Sequence, residues 1–145
     1  MTKLIAIDPG NYKCGIILAD LEEKKIYEAL VLEINEVLLY VKNLLDKENN
    51  IKIIMGNGTS YKNCMRILSE LKVEIVPAEE RNTTFRAKQR FFNIFPPKGL
   101  KRLLPREIFI MNKNLDALAA LLILEDYYKV IFEFAVLPNP RIWKK

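Results

Sequence analysis

The spacing of apolar positions changes along the chain, and each change marks an element. Lys3–Asp8 reads as a strand that ends in Asp8-Pro9-Gly10-Asn11, a turn sequence. Cys14–Ala19 is a second strand, and the polar turn Glu22-Glu23-Lys24 leads into a third, Lys25–Leu32. Three strands with short connections predict an antiparallel meander. The period then turns helical, with Ile34, Val37, Leu38, Val41, Leu44 and Leu45 on one stripe. Lys52–Met55 predicts a short strand closed by Gly56-Asn57-Gly58-Thr59, Tyr61–Leu71 a helix, and Val73–Val76 a fifth strand stopped by Pro77. A helix over Thr83–Phe92 is followed by a basic, proline-rich stretch, Ile94–Arg106, and by a last long helix, Met111–Tyr128.

This order implies an α/β fold with a five-stranded mixed sheet, in which strands 1, 4 and 5 are parallel and the sheet is flanked by helices. Right-handed crossovers give the strand order 3-2-1-4-5. Ligands of such sheets bind beyond the carboxyl ends of the parallel strands. That rule selects Asp8, the loop Gly56, Asn57, Gly58 and Thr59, and the pair Glu79-Glu80. At 145 residues the chain is expected to be one domain, residues 1–145, with a basic insert at about 94–110 and a short tail at about 137–145.

Composition removes several chemistries. The chain has no histidine, which excludes Ser-His-Asp and Cys-His catalysis and any imidazole-bound zinc. Its two cysteines, Cys14 and Cys64, are too few for a four-thiolate cluster and read as reduced thiols. The longest apolar run, Ala117–Leu124, falls well short of the ~18 residues of a membrane span. Asp8 interrupts the place where an export signal needs apolar residues, so a cytoplasmic protein without a membrane partner is expected.

The net charge of +5 is concentrated in one stretch. Arg81, Arg86, Lys88, Arg90, Lys98, Lys101, Arg102 and Arg106 occupy a window without a single Asp or Glu, and acidic residues outnumber basic ones elsewhere. Such a run repels itself unless an anion neutralises it. Phe85, Phe91, Phe92 and Phe95 lie among these cations, a mixture suited to nucleic acid, although Phe91 and Phe92 also fit the core face of a helix.

Three acidic positions invite chemistry. Asp8 follows the buried-strand sequence Leu4-Ile5-Ala6-Ile7, Glu79-Glu80 ends the fifth strand, and Asp116 is the lone charge in a helix otherwise apolar from Asn114 to Leu124. Each has a plainer explanation: a turn opener, a helix-terminal carboxylate, a cap. Together they place carboxylates at one sheet edge. Clustered carboxylates need a cation, and Mg²⁺ or Mn²⁺ takes oxygen ligands without histidine. Two such ions can hydrolyse a phosphodiester. The Gly56–Thr59 loop, between strand and helix, is a candidate phosphate loop.

Four segments carry a resemblance. Ala6-Ile7-Asp8-Pro9-Gly10 with Lys13-Cys14-Gly15, then Gly56-Asn57-Gly58-Thr59, then Glu79-Glu80-Arg81-Asn82-Thr83-Thr84, then Leu115-Asp116-Ala117-Leu118-Ala119-Ala120 occur in an order that resembles the YqgF family. These are RuvC-related proteins of ribonuclease H-like fold, described as Holliday junction resolvases or as nucleases that process pre-16S rRNA. The resemblance spans Leu4 to Tyr128 and implies a ribonuclease H-like fold. It implies Asp8, Glu80 and Asp116 as catalytic, metal-binding acids. Glu79 stands where the family has Asp, which leaves open whether Glu79 or Glu80 faces the metal. Bacterial RuvC resolvases carry their second acid after strand 4 and a further acid at the position of Lys113.

The resulting expectation is a Mg²⁺- or Mn²⁺-dependent endonuclease, with two ions, acting on structured RNA or branched DNA as a monomer or homodimer. A non-catalytic nucleic-acid-binding module on the same fold is the alternative. An actin-like or sugar-kinase-like phosphotransferase would need a second domain that 145 residues do not supply.

Overall fold

The computed structural model describes residues 1–80, 83–95 and 112–136, with side chains from 85 and from 115 in the last two spans. Arg81, the predicted basic insert from position 96 onward (with Lys98, Lys101, Arg102 and Arg106) and the predicted tail lie outside the described residues. The elements run β1 (Lys3–Asp8), β2 (Lys13–Asp20), β3 (Lys25–Glu33), α1 (Ile34–Lys47), β4 (Ile51–Gly56), α2 (Tyr61–Leu68), a 3₁₀ turn (Ser69–Leu71), β5 (Ile75–Ala78), α3 (Thr83–Ile94), α4 (Asn112–Tyr128) and β6 (Glu133–Phe134). They form an α/β fold around one mixed sheet, ordered β5-β4-β1-β2-β3-β6. The meander β1–β2–β3 is antiparallel, and β1, β4 and β5 are mutually parallel, as the sequence predicts.

The two-residue period of β1 divides the core. Ile5 and Ile7 face Val37 and Val41 of α1 and Cys64 and Leu68 of α2 on one side of the sheet. Leu4 and Ala6 face α4 on the other, with Ala87, Phe91 and Phe92 of α3. Helix α4 is buried without a break from Ala117 to Glu125, which explains why its sequence shows no polar face. Phe91 and Phe92 are thus core side chains, while Phe85 is exposed.

Three boundaries differ from expectation. The fifth strand extends through Pro77, because β5 is an edge strand and a proline there removes no ladder bond from a neighbour on its open side. The helix predicted to Leu71 ends at Leu68 and tightens into the 3₁₀ turn, which closes at left-handed Lys72 (φ 53°). A sixth strand, β6, adds to β3 in parallel, pairing Lys25 with Glu133 and Ile26 with Phe134. It is anchored by the fully buried Phe132, whose amide donates to Glu125 Oε1 at 3.0 Å. Arg90 donates to the same carboxylate oxygen at 3.0 Å and to the Phe132 carbonyl at 2.8 Å. Among the described residues no helix is long and apolar enough to cross a membrane.

Candidate active site

Asp8 closes β1 and lies opposite Gly15 of β2 in the antiparallel register. A Cβ on Gly15 would lie 1.8 Å from the Asp116 carbonyl oxygen, so the backbone of α4 at Asp116–Ala117 rests directly on this glycine. Asp8 faces Gly15, and Gly15 carries Asp116; the sheet register and one missing side chain bring β1 and α4 together.

Glu80 arrives from the end of β5. A Cβ on Gly56 would lie 2.0 Å from Glu80 Oε1 and 2.8 Å from Ile123 Cδ1, and one on Gly58 would lie 2.6 Å from Glu80 Oε2. The glycines after β4 therefore make room for a carboxylate. The Asn57 amide is spent on the Ala78 carbonyl at 2.9 Å, which ties this loop to β5. The loop expected to cradle a phosphate has the Glu80 carboxyl packed against its two glycines.

Glu80, packed against the glycine that ends the strand beside β1, lies close enough for its charge to act on Asp8. Carboxylates placed this near one another repel unless a proton or a cation balances them. Burial, the charge and hydrogen bond of Glu80, and then the charges of Asp116 and Cys14, push Asp8 up to about 8. Glu80 Oε1 is buried and has no hydrogen-bond donor. Asp116 is raised by burial, an effect partly offset by the charge of Lys13. Among the described residues no three acidic, cysteine or histidine side chains form a closed metal-binding group. Glu80 and, more weakly, Asp116 act on Asp8 through their charges.

Of the adjacent glutamates, Glu80 is the one against Asp8. Glu79 is exposed and lines a cavity of about 480 Å³ with Arg86, Asp126, Tyr127 and Lys129. Two cations of the basic window are engaged within the molecule. Arg86 forms a two-pronged pair with Asp126, at 2.6 and 2.7 Å, and Arg90 forms the largely buried pair with Glu125. Lys88 is half-buried on α3.

Sequence reading did not assign Gly15 or Lys13 a place in the site. The signal was present in Lys13-Cys14-Gly15, which follows Asp8 at the spacing of a tight hairpin. Cys14 and Cys64 are buried free thiols in contact across β2 and α2. The hydrogen bond from Cys64 is the largest influence on Cys14 and draws it down to about 7, against burial.

The fold is the ribonuclease H-like fold of RuvC. Two solved structures show the likeness: Thermus thermophilus RuvC, and the T. thermophilus RuvC complex with a Holliday junction substrate. The first matches at a TM-score of 0.53 and 14% identity over 88% of this chain and 96% of that one. The second matches at 0.53 and 13%, over 89% and 96%. No protein-family model matches the chain, and no curated protein matches it in sequence.

Proposed function

We propose that this chain is a metal-dependent endonuclease that hydrolyses phosphodiester bonds in structured nucleic acid, with Asp8, Glu80 and Asp116 as its acids. The observation that carries the proposal is the donorless Glu80 Oε1, packed against Gly56 beside the end of β1 where Asp8 stands, at the carboxyl end of the central strands of a RuvC-like sheet. Buried carboxylates without donors cost free energy unless a proton or cation balances them. Oxygen-only ligands suit Mg²⁺ or Mn²⁺. Asp8 and Glu80 would hold the ion between them, with Asp116 completing the negative field, and Glu79 turned to the neighbouring cavity. When bound, one or two such ions activate water and stabilise the leaving oxygen of a phosphodiester. The charge of Lys13 partly offsets the rise that burial imposes on Asp116.

The match to a Holliday junction complex supports branched DNA as substrate, and the YqgF resemblance supports pre-16S rRNA and work in the cytoplasm. The nucleic-acid contacts are assigned to Lys88, Arg81, Lys98, Lys101, Arg102 and Arg106, since Arg86 and Arg90 are engaged in ion pairs. The test is cleavage of labelled four-way junctions and rRNA-precursor fragments side by side, with and without Mn²⁺. Metal-dependent cleavage of either is expected, and the preferred substrate names the branch. Tight binding of both without cleavage would instead identify a non-catalytic binding module.

A further inference from the structure

Tyr12 is 83% exposed, the most exposed aromatic ring among the described residues. Single exposed aromatics are common on protein surfaces, but this one has a particular place. It sits in the four-residue turn between Asp8 and β2, next to Lys13, whose charge reaches Asp116. The turn is held at several points. The Tyr12 carbonyl accepts from the Ile34 amide at 2.9 Å. The neighbouring Asn11 accepts from the buried Ser60 hydroxyl at 2.8 Å, which ties the turn to the loop that seats Glu80. Gly10 packs so tightly that a Cβ would meet the Lys13 carbonyl oxygen at 2.3 Å. The backbone is thus fixed while the ring itself is left bare to solvent.

We propose that Tyr12 is a stacking platform for an unpaired nucleobase adjoining the phosphate that meets the Asp8–Glu80 pair, with Lys13 holding the neighbouring phosphate. A ring next to a cation is the pairing that grips single-stranded nucleic acid, because every base offers a face and every linkage a charge. The inference rests on the nuclease reading of the same site. It adds the substrate feature that the acids do not specify: the strand at the cut is unstacked on at least one side, as at a junction, a loop or a single-stranded end.

The test measures binding in EDTA, so that no strand is cut, using single-stranded oligonucleotides and a fully paired duplex of the same sequence. Tyr12→Ala should weaken single-strand binding about tenfold and leave duplex binding unchanged. Tyr12→Phe should bind as wild type. Tyr12→Trp should retain binding and show indole quenching by the single strand beyond that of the wild type, whose one tryptophan is Trp143. The exposed position makes misfolding of these variants unexpected, and equal thermal melts verify it. If wild type binds single strands and Tyr12→Ala binds them equally well, the stacking role is overturned while the nuclease reading stands. If wild type binds no nucleic acid of any form, the nuclease reading itself fails and this inference falls with it.

Discussion

Asp8 is the residue on which the proposed chemistry turns, and its environment makes a prediction about folding as well as activity. Its carboxyl is raised from 3.8 to about 8, chiefly by burial and next by Glu80. A group raised in the fold contributes its stability below its unfolded value and loses it as pH climbs through the folded one. In EDTA, wild type should therefore lose stability relative to Asp8→Asn between pH 4 and about 8, by on the order of a few kcal/mol. Melting both proteins across this range, with the difference taken at each pH, cancels the titrations of groups remote from Asp8 and leaves those of Asp8 and the acids coupled to it. Saturating Mn²⁺ should reverse the order, since ligand at about 100 times its dissociation constant adds ~2.7 kcal/mol to wild type. At this scale the sequence marked Asp8 and Asp116 through their settings: one ends a buried strand, the other is alone in an apolar helix. It could not separate Glu79 from Glu80, because adjacent residues at a strand end have no period to distinguish them. That choice is made by Gly56 and Gly58, which leave space for one carboxylate only where Glu80 enters. Nor could the sequence show that Arg86 and Arg90 are engaged, since their partners Asp126 and Glu125 lie 40 and 35 positions away.

Among the elements, β6 and α3 depend on one charged side chain of α4. Glu125 accepts from both Arg90 and the Phe132 amide, and its side chain is 5% exposed against 16% for Arg90. Glu125→Ala should cost about 3–5 kcal/mol in urea unfolding, because it strands a buried guanidinium and an amide. Arg90→Leu combined with Glu125→Leu should recover much of that loss, as apolar replacement of a buried pair often does. Longer elements were legible because ten or so residues repeat a period; β6, at two residues, has none. Its existence follows from Phe132 filling the core on the α4 side and drawing the chain back along β3. Pro77 misled for a related reason. A proline reads as a strand stop unless the strand is known to be an edge, and edges are a property of the assembled sheet.

At the scale of the whole molecule, the basic window divides into cations that hold the fold and cations proposed to hold substrate. Binding of duplex or junction DNA in EDTA should weaken with salt, with log K falling by roughly 0.9 per phosphate contact. Changing Lys98, Lys101 and Arg102 together to Ala should flatten that slope by about 2–3 units. Arg86→Ala should leave the slope unchanged and lower the melting temperature, since its guanidinium is paired with Asp126. The order of the first five strands and the parallel triad were readable from element order and crossover handedness. The approach of Glu80 to the end of β1 was not, since it depends on β4 ending in a glycine between β1 and β5.

The central claim is that the acid cluster drives metal-dependent phosphodiester hydrolysis, and Asp8→Asn tests it most directly. The variant keeps the size of the side chain and removes the charge a hard cation needs. The measurement is the single-turnover cleavage rate of the preferred junction or RNA in Mn²⁺, for wild type and Asp8→Asn, with both shown to fold and to bind substrate equally. Wild type should cleave, and the variant should lose at least about a thousandfold in rate, a barrier rise of roughly 4 kcal/mol. A folded, substrate-binding Asp8→Asn protein that cuts within about tenfold of wild type, under ~1.4 kcal/mol, would contradict that claim and reduce Asp8 to a turn residue.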